Sequence, residues 1–140
     1  KGGKKDTLVN IEATGVYVIN TVTGALAERM NQASADYPPE VDEFAEVGLT
    51  PVASELVAAP RVGEAAISLE CRLMQILEFG NAPRLTNFVI GEVVMVHIRD
   101  EFCDHGAPRA ERLDLVGRLG GKRYCRLTDV FEMDRPNPLK

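Results

Sequence analysis

The 140-residue sequence predicts an α+β domain whose main sheet is antiparallel. Three observations carry that class. Two stretches near the front, 6–15 and 23–34, set apolar residues at helical spacing. From Ala65 the pattern switches to period two, and Phe88 to Arg99 is apolar on both faces. Gly80, Asn81 and Pro83 supply turn chemistry between those two extended runs, which makes them a hairpin. Helices grouped towards one end of an antiparallel sheet are the α+β arrangement.

Taken in order, Asp6 or Thr7 is expected to cap a first helix through Leu8, Val9 and Ile11, with Gly15 as its left-handed end. Val16 to Asn20 reads as a short, largely buried strand, being a compact β-branched and aromatic run. Thr23 opens a second helix with Leu26, Ala27 and Met30 on one face, ending near Asn31 to Ser34. Pro39 is placed at the first turn of a short helix through Phe44 that Gly48 ends. In the first long strand Ile67, Leu69, Cys71 and Leu73 face one way and Ser68, Glu70 and Arg72 the other, with a bulge around Met74 to Leu77. The second, apolar on both sides, is expected inside a sheet or barrel. Asp104 to Arg112 is a polar connection with room for one helical turn, and Arg123 to Glu132 a weak final strand.

Composition bounds the class of function. With 16 Lys+Arg against 21 Asp+Glu the net charge is −5, against the clustered basic surface that duplex binding requires. Tyr and Phe are few, Trp is absent, and no aromatic stripe runs between basic residues, so a single-stranded nucleic-acid platform is not expected either. No apolar run reaches the roughly 18–20 residues of a membrane span. The three cysteines, Cys71, Cys103 and Cys125, are an odd number without CxxC spacing, which fits free thiols in a reducing, cytoplasmic compartment. One domain over 1–140 is the expectation at this length. The sequence begins at Lys1 and runs almost at once into a helix, so a trimmed end and a missing front section are both open.

Few stretches carry chemistry. The opening KGGKKDT joins two glycines and three lysines to a helix start, where exposed N–H groups and the positive end of the dipole favour phosphate. It is not a Walker A loop, since Lys5 stands where Ser or Thr should follow Gly3-Lys4. The segment RLGGKRYCR, from Arg118 to Arg126, combines basic residues with Gly120, Gly121 and Tyr124. Glycine lets a ligand approach the backbone, Arg pairs with phosphate oxygens, and Tyr stacks on flat rings. The plain alternative is a tight turn entering the last strand. His97 reads as a hydrogen-bonded strand residue, and Cys103-Asp104-His105 matches no standard zinc spacing. Glu70 and Glu92 lie on candidate strands whose cross-strand register is needed before they can be paired. The segment from Asp36 to Glu55, with six acids in a stretch from Met30 to Pro60 that holds no base, reads as a solvated face or a docking surface.

Four stretches in order, KDTLVNIEATGVYVIN, ALAERMNQASADYPPEVDEFAEVGLTPV, IGEVVMVHIRDE and GRLGGKRYCR, resemble the flavin reductase-like family. That resemblance spans Lys5 to about Phe131 and implies the FMN-binding split β-barrel. The family's usual domain has several strands in front, so the resemblance implies its central and C-terminal part, apparently N-terminally incomplete. It further implies FMN bound at a homodimer interface, NAD(P)H as hydride donor and a small-molecule substrate. Lys4, Lys5, Asp6 and Thr7 would then lie near the flavin phosphate, and Arg118, Gly120, Gly121 and Tyr124 near the flavin or nicotinamide. No catalytic acid, base or metal is implied. The implied activity is hydride transfer from NAD(P)H to flavin or, through bound flavin, to an acceptor. The alternative is a non-enzymatic electron carrier or interaction module.

Overall fold

A computed structural model of the chain describes residues 4–81 and 85–137. Gly2 and Gly3 of the opening motif and Pro83 of the expected turn lie outside them. The described elements are α1 (Asp6–Thr14), β1 (Val16–Asn20), α2 (Ala27–Ala33), α3 (Glu43–Glu46), β2 (Pro51–Val52), β3 (Arg61–Val62), β4 (Ile67–Phe79) and β5 (Thr86–Ile98). They continue with β6 (Cys103–Asp104), β7 (Ala107–Pro108), α4 (Ala110–Leu113), β8 (Leu115–Arg118) and β9 (Tyr124–Leu127). Helices towards the front and antiparallel pairing throughout give the expected α+β class.

Helix α1 ends as the sequence requires, with Gly15 at φ 69° and its N–H on the Ile11 carbonyl. Its start differs. Lys5, not Asp6 or Thr7, is the capping residue, and its side chain makes no cap hydrogen bond. Leu8 and Ile11 turn inward and are buried. Each such aliphatic side chain contributes about 1.5–3 kcal/mol when fully buried. The second helical segment begins at Gly24 as a 3-10 turn before α2, and Leu26 is its buried residue. Pro39 lies outside α3, which starts only at Glu43 because the Asp42 side chain accepts from Phe44 N at 3.0 Å and fixes the cap there.

The main sheet has the order β1-β4-β5, so β4 is central and β5 an edge strand. The expectation was a place inside a sheet or barrel; in the described three-stranded sheet β5 forms an edge. Among the described residues β5 pairs only with β4, and Phe88, Val93 and Val96 stay exposed. Strand β1 is half-buried rather than largely buried, with Ile19 open to solvent, because it forms the opposite edge. The expected bulge falls where the ladder passes from Leu73 to Gln75, and a second irregularity lies between Glu70 and Cys71.

Both faces of β4 are covered near its middle. Ser68 and Glu70, on the polar face, are buried at 3% and 0% exposure, and on the other face Cys71 is buried at 1% while Leu69 is half-covered. For the polar face the segment from Thr50 to Ala66 supplies the reason. Backbone N–H groups of Glu55 and Leu56 meet the Glu70 carboxylate, so the polar face can be covered with its hydrogen bonds intact. Beyond β5, the polar connection forms the β6–β7 hairpin and α4. The last strand stops at Leu127 and pairs with β8, a strand absent from the sequence reading.

Candidate functional site

The opening motif yields an uncapped helix start. The Lys5 carbonyl accepts from Leu8 N at 2.9 Å and Val9 N at 3.1 Å. At the first two helical positions Asp6 and Thr7 have N–H groups with no intrahelical acceptor. Lys4 is already engaged. Its ammonium lies 2.6 and 2.9 Å from the two Glu12 carboxylate oxygens, and this hydrogen bond raises the lysine above its ordinary value. Asp6 and Thr7 line a groove of about 410 Å³ between α1 and the segment from Tyr37 to Phe44. Asp6, Asp42 and Glu43 place three carboxylates around it. Among its described lining residues there is no cation.

The second predicted segment is the β8–β9 hairpin. Arg118 and Tyr124 are direct cross-strand partners, and the guanidinium lies 5.9 Å from the ring centroid. That is a cation–π distance, so the guanidinium is one partner the ring already has. Gly121 takes φ 67°, which favours glycine, whereas a side chain at Gly120 would meet nothing closer than Arg123 Nη2 at 4.0 Å. The turn closes through Leu119 N to Arg123 O at 2.9 Å. The hairpin is held to the front of the chain by Gly24 N to Asp114 O at 2.9 Å and Val116 N to Val22 O at 2.8 Å. Arg126 pairs with both Asp114 oxygens, and this hydrogen bond holds the Asp114 carboxyl below its ordinary value. A side chain at Gly24 would collide with that pair. Among the described residues no hydrogen bond or ion pair joins the hairpin to the start of α1, and the groove beside α1 is not lined by hairpin residues.

A third arrangement was not foreseen. Glu70, fully buried, accepts from Glu55 N at 2.8 Å, from Leu56 N at 2.7 Å and meets His97 Nε2 at 2.6 Å. Burial pushes this carboxyl up, but the two N–H groups and His97 outweigh it and hold it at about 2. His97 is thus the hydrogen-bonded strand residue expected, and its Nδ1 lies 3.8 Å from the exposed Glu55 carboxylate. Glu92 does not join Glu70, since it sits opposite Arg72. His97 and Ser68, directly paired across β4 and β5, line a cavity of about 310 Å³ together with Arg61 and Arg99. The period-two pattern placed Ser68, Glu70 and Arg72 on one face. It held no sign that this face meets the Glu55–Leu56 backbone.

Comparison with known proteins agrees with the fold. The profile of the flavin reductase like domain matches residues 2–110. A protein of Halalkalibacterium halodurans is 34% identical over 137 residues, covering 96% of this chain. The chain spans only 66% of that relative's length, just under two thirds. Nitrilotriacetate monooxygenase component B from Bacillus cereus superposes with a TM-score of 0.85 at 31% identity, over 94% of this chain and 66% of that one. The Pseudomonas fluorescens 2-nitrobenzoate 2-nitroreductase NbaA gives 0.83 at 34% identity, over 96% and 66%. The sequence resemblance and the observed sheets therefore converge, and the chain belongs to the flavin reductase-like family, with its split-barrel fold.

Proposed function

We propose that this protein is an FMN-binding oxidoreductase that takes hydride from NAD(P)H and passes it to flavin or, through bound flavin, to a small-molecule acceptor. The observation that carries the reading is the joint likeness, above 30% identity over nearly the whole chain, to a nitroreductase and a monooxygenase component. The start of α1 offers donors for the phosphate of such a cofactor, beside the three carboxylates of the groove. It is a nine-residue helix with no side-chain cap, offering the N–H groups of Asp6 and Thr7, the Thr7 hydroxyl and the Lys5 ammonium. Lys4 contributes through its ion pair with Glu12 rather than as an open cation. Arg118 and Tyr124 offer a charged and a flat surface on the exposed hairpin, with Gly120 and Gly121 keeping its tip low. When bound, the flavin supplies a ring that accepts hydride and returns electrons singly or in pairs. The protein's part is to bind and orient, and no side chain is assigned as acid or base. A homodimer in the cytoplasm is part of this proposal.

The test is direct. The purified protein, titrated with FMN, is expected to acquire flavin absorbance and then to oxidise NADH or NADPH. A protein that stays colourless with FMN and leaves both nicotinamides intact overturns the reading. Tight FMN binding without oxidation of either nicotinamide overturns the enzyme and leaves an electron carrier.

A further inference from the structure

The cavity between β3 and the end of β5 has a chemistry that the flavin reading does not use. Its lining brings together Arg61, Ser68, His97 and Arg99 with Gly63, Ala65 and Ala66, and among the described lining residues there is no carboxylate. That is unusual in a chain of net charge −5. Arg61 is incompletely satisfied. One guanidinium nitrogen donates to Ala53 O at 3.2 Å, but its Nε is buried and finds no acceptor. That Nε has no open surface, so a ligand in the cavity can meet only the outer guanidinium nitrogens of Arg61, which lines it.

The nearby acids are otherwise engaged. Glu101 lies 3.0 Å from Arg99 Nη2, which leaves the rest of that guanidinium, including Nη1 at a long 3.4 Å from Glu64 O. The Glu64 carboxylate accepts from Thr50 N and Oγ1. Glu70 beside the cavity is charged, but its oxygens receive two N–H groups and His97. Glu55, the one exposed carboxylate near His97, stands 3.8 Å from Nδ1 on a side chain open to solvent. Ser68 Oγ donates to Asn20 Oδ1 at 2.8 Å, which leaves the hydroxyl oxygen as a weak acceptor and the guanidinia as the donors for a ligand.

We propose that this cavity is an anion site that takes a phosphate group, with Arg61 as its principal ligand and Arg99 as the second. The planar fork of arginine matches the oxygens of phosphate. The phosphate could come from free orthophosphate or from a nucleotide monoester, which the same donors recognise.

The test uses orthophosphate and adenosine 2′-monophosphate as separate probes on the whole protein, at ionic strength held constant with chloride. Binding is read by calorimetry and by the ¹⁵N-correlated Nε–H signals of arginine. Either probe should bind and move the Arg61 Nε–H signal, with Arg61→Ala weakening binding roughly tenfold or more and Arg99→Ala less. Arg61→Lys keeps the charge and loses the fork, so it should fall between wild type and Arg61→Ala; its circular dichroism and melting curve guard against misfolding. Binding of the nucleotide alone identifies the monoester as the ligand, and binding of orthophosphate identifies the free anion. If neither probe binds better than chloride, the proposal is overturned. It is equally overturned if Arg61→Ala binds like wild type while Lys5→Ala does not, since the phosphate then sits at the start of α1.

Discussion

Two hollows of similar size lie on this molecule with opposite chemistry. The groove beside α1, about 410 Å³, is lined by Asp6, Asp42 and Glu43 and by no described cation. The cavity between β3 and β5, about 310 Å³, is lined by Arg61 and Arg99 and by no described carboxylate. The first is written in the sequence as a local run, because Asp42 and Glu43 are neighbours in an acidic stretch. The second is assembled by topology, since the β4–β5 ladder brings Arg99 and His97 back to Ala66 and Ser68 beside β3. A net charge of −5 describes neither. Charge decides function where the fold gathers it, and local density along the chain is only part of that.

The sharpest way to break the contrast is to remove what holds the segment before β3 against the sheet. Glu70→Ala leaves the N–H groups of Glu55 and Leu56 and the His97 ring without their acceptor inside a covered face. Its melting temperature should fall by on the order of 10 °C, the largest effect expected of any substitution here. A variant melting within a degree or two of wild type would show that this segment is held elsewhere. The same carboxylate predicts a pH dependence. Its folded value of about 2 lies below the ordinary 4.5, so its stabilisation is complete above about pH 4.5 and fades as pH falls towards 2. Urea midpoints measured down that range should decline in wild type and decline less in Glu70→Gln. Parallel curves would remove Glu70 from the acid transition.

How much of this was legible follows from what periodicity encodes. Helix α1 with its Gly15 end, the β4–β5 hairpin and the bulge after Leu73 were legible because local geometry dictates them. Alternation along β4 separated two faces but did not show that the polar one would be covered as fully at Glu70 as the apolar one is at Cys71. The answer lay in backbone donors of residues 55 and 56, which no side-chain pattern reports. Strand β8 was hidden because Leu115–Arg118 contains Gly117 and is short. It is fixed by its pairing with β9 and by Val22, not by propensity. Of the candidate site, Lys5 and Thr7 were legible as a helix start; that Lys4 turns to Glu12 was not, since the motif alone shows three equivalent lysines. Arg61 carried no signal at all.

At the start of α1 the effect should be smaller than at Glu70 and specific to phosphate. Lys5→Ala or Thr7→Ala removes one charge-assisted or hydroxyl contact, about 1.5–3 kcal/mol, or roughly ten- to a hundredfold in FMN affinity. Riboflavin, which has the ring without the phosphate, is the control and should bind both variants as it binds wild type. If FMN affinity is unchanged in both, this helix start is not part of the flavin site. If riboflavin weakens in parallel, the residues act on the ring or on folding rather than on the phosphate.

The acidic groove supplies the smallest and most discriminating effect. Its three carboxylates stand beside the donors assigned to phosphate, so they should oppose an anion there while leaving the cavity at Arg61 untouched. Asp42 is a poor choice for the test because it caps α3. Glu43 is exposed and makes no such contact, so Glu43→Gln changes charge with little else. FMN should bind this variant about two- to threefold more tightly at low salt, with the gain vanishing near 1 M, where screening acts over about 3 Å. Orthophosphate affinity at the Arg61 cavity should not move. A gain that persists in high salt would mean that the substitution repacks the groove instead of relieving repulsion. A gain for both ligands would mean that the two hollows share one electrostatic field, and the contrast between them would then be one of shape alone.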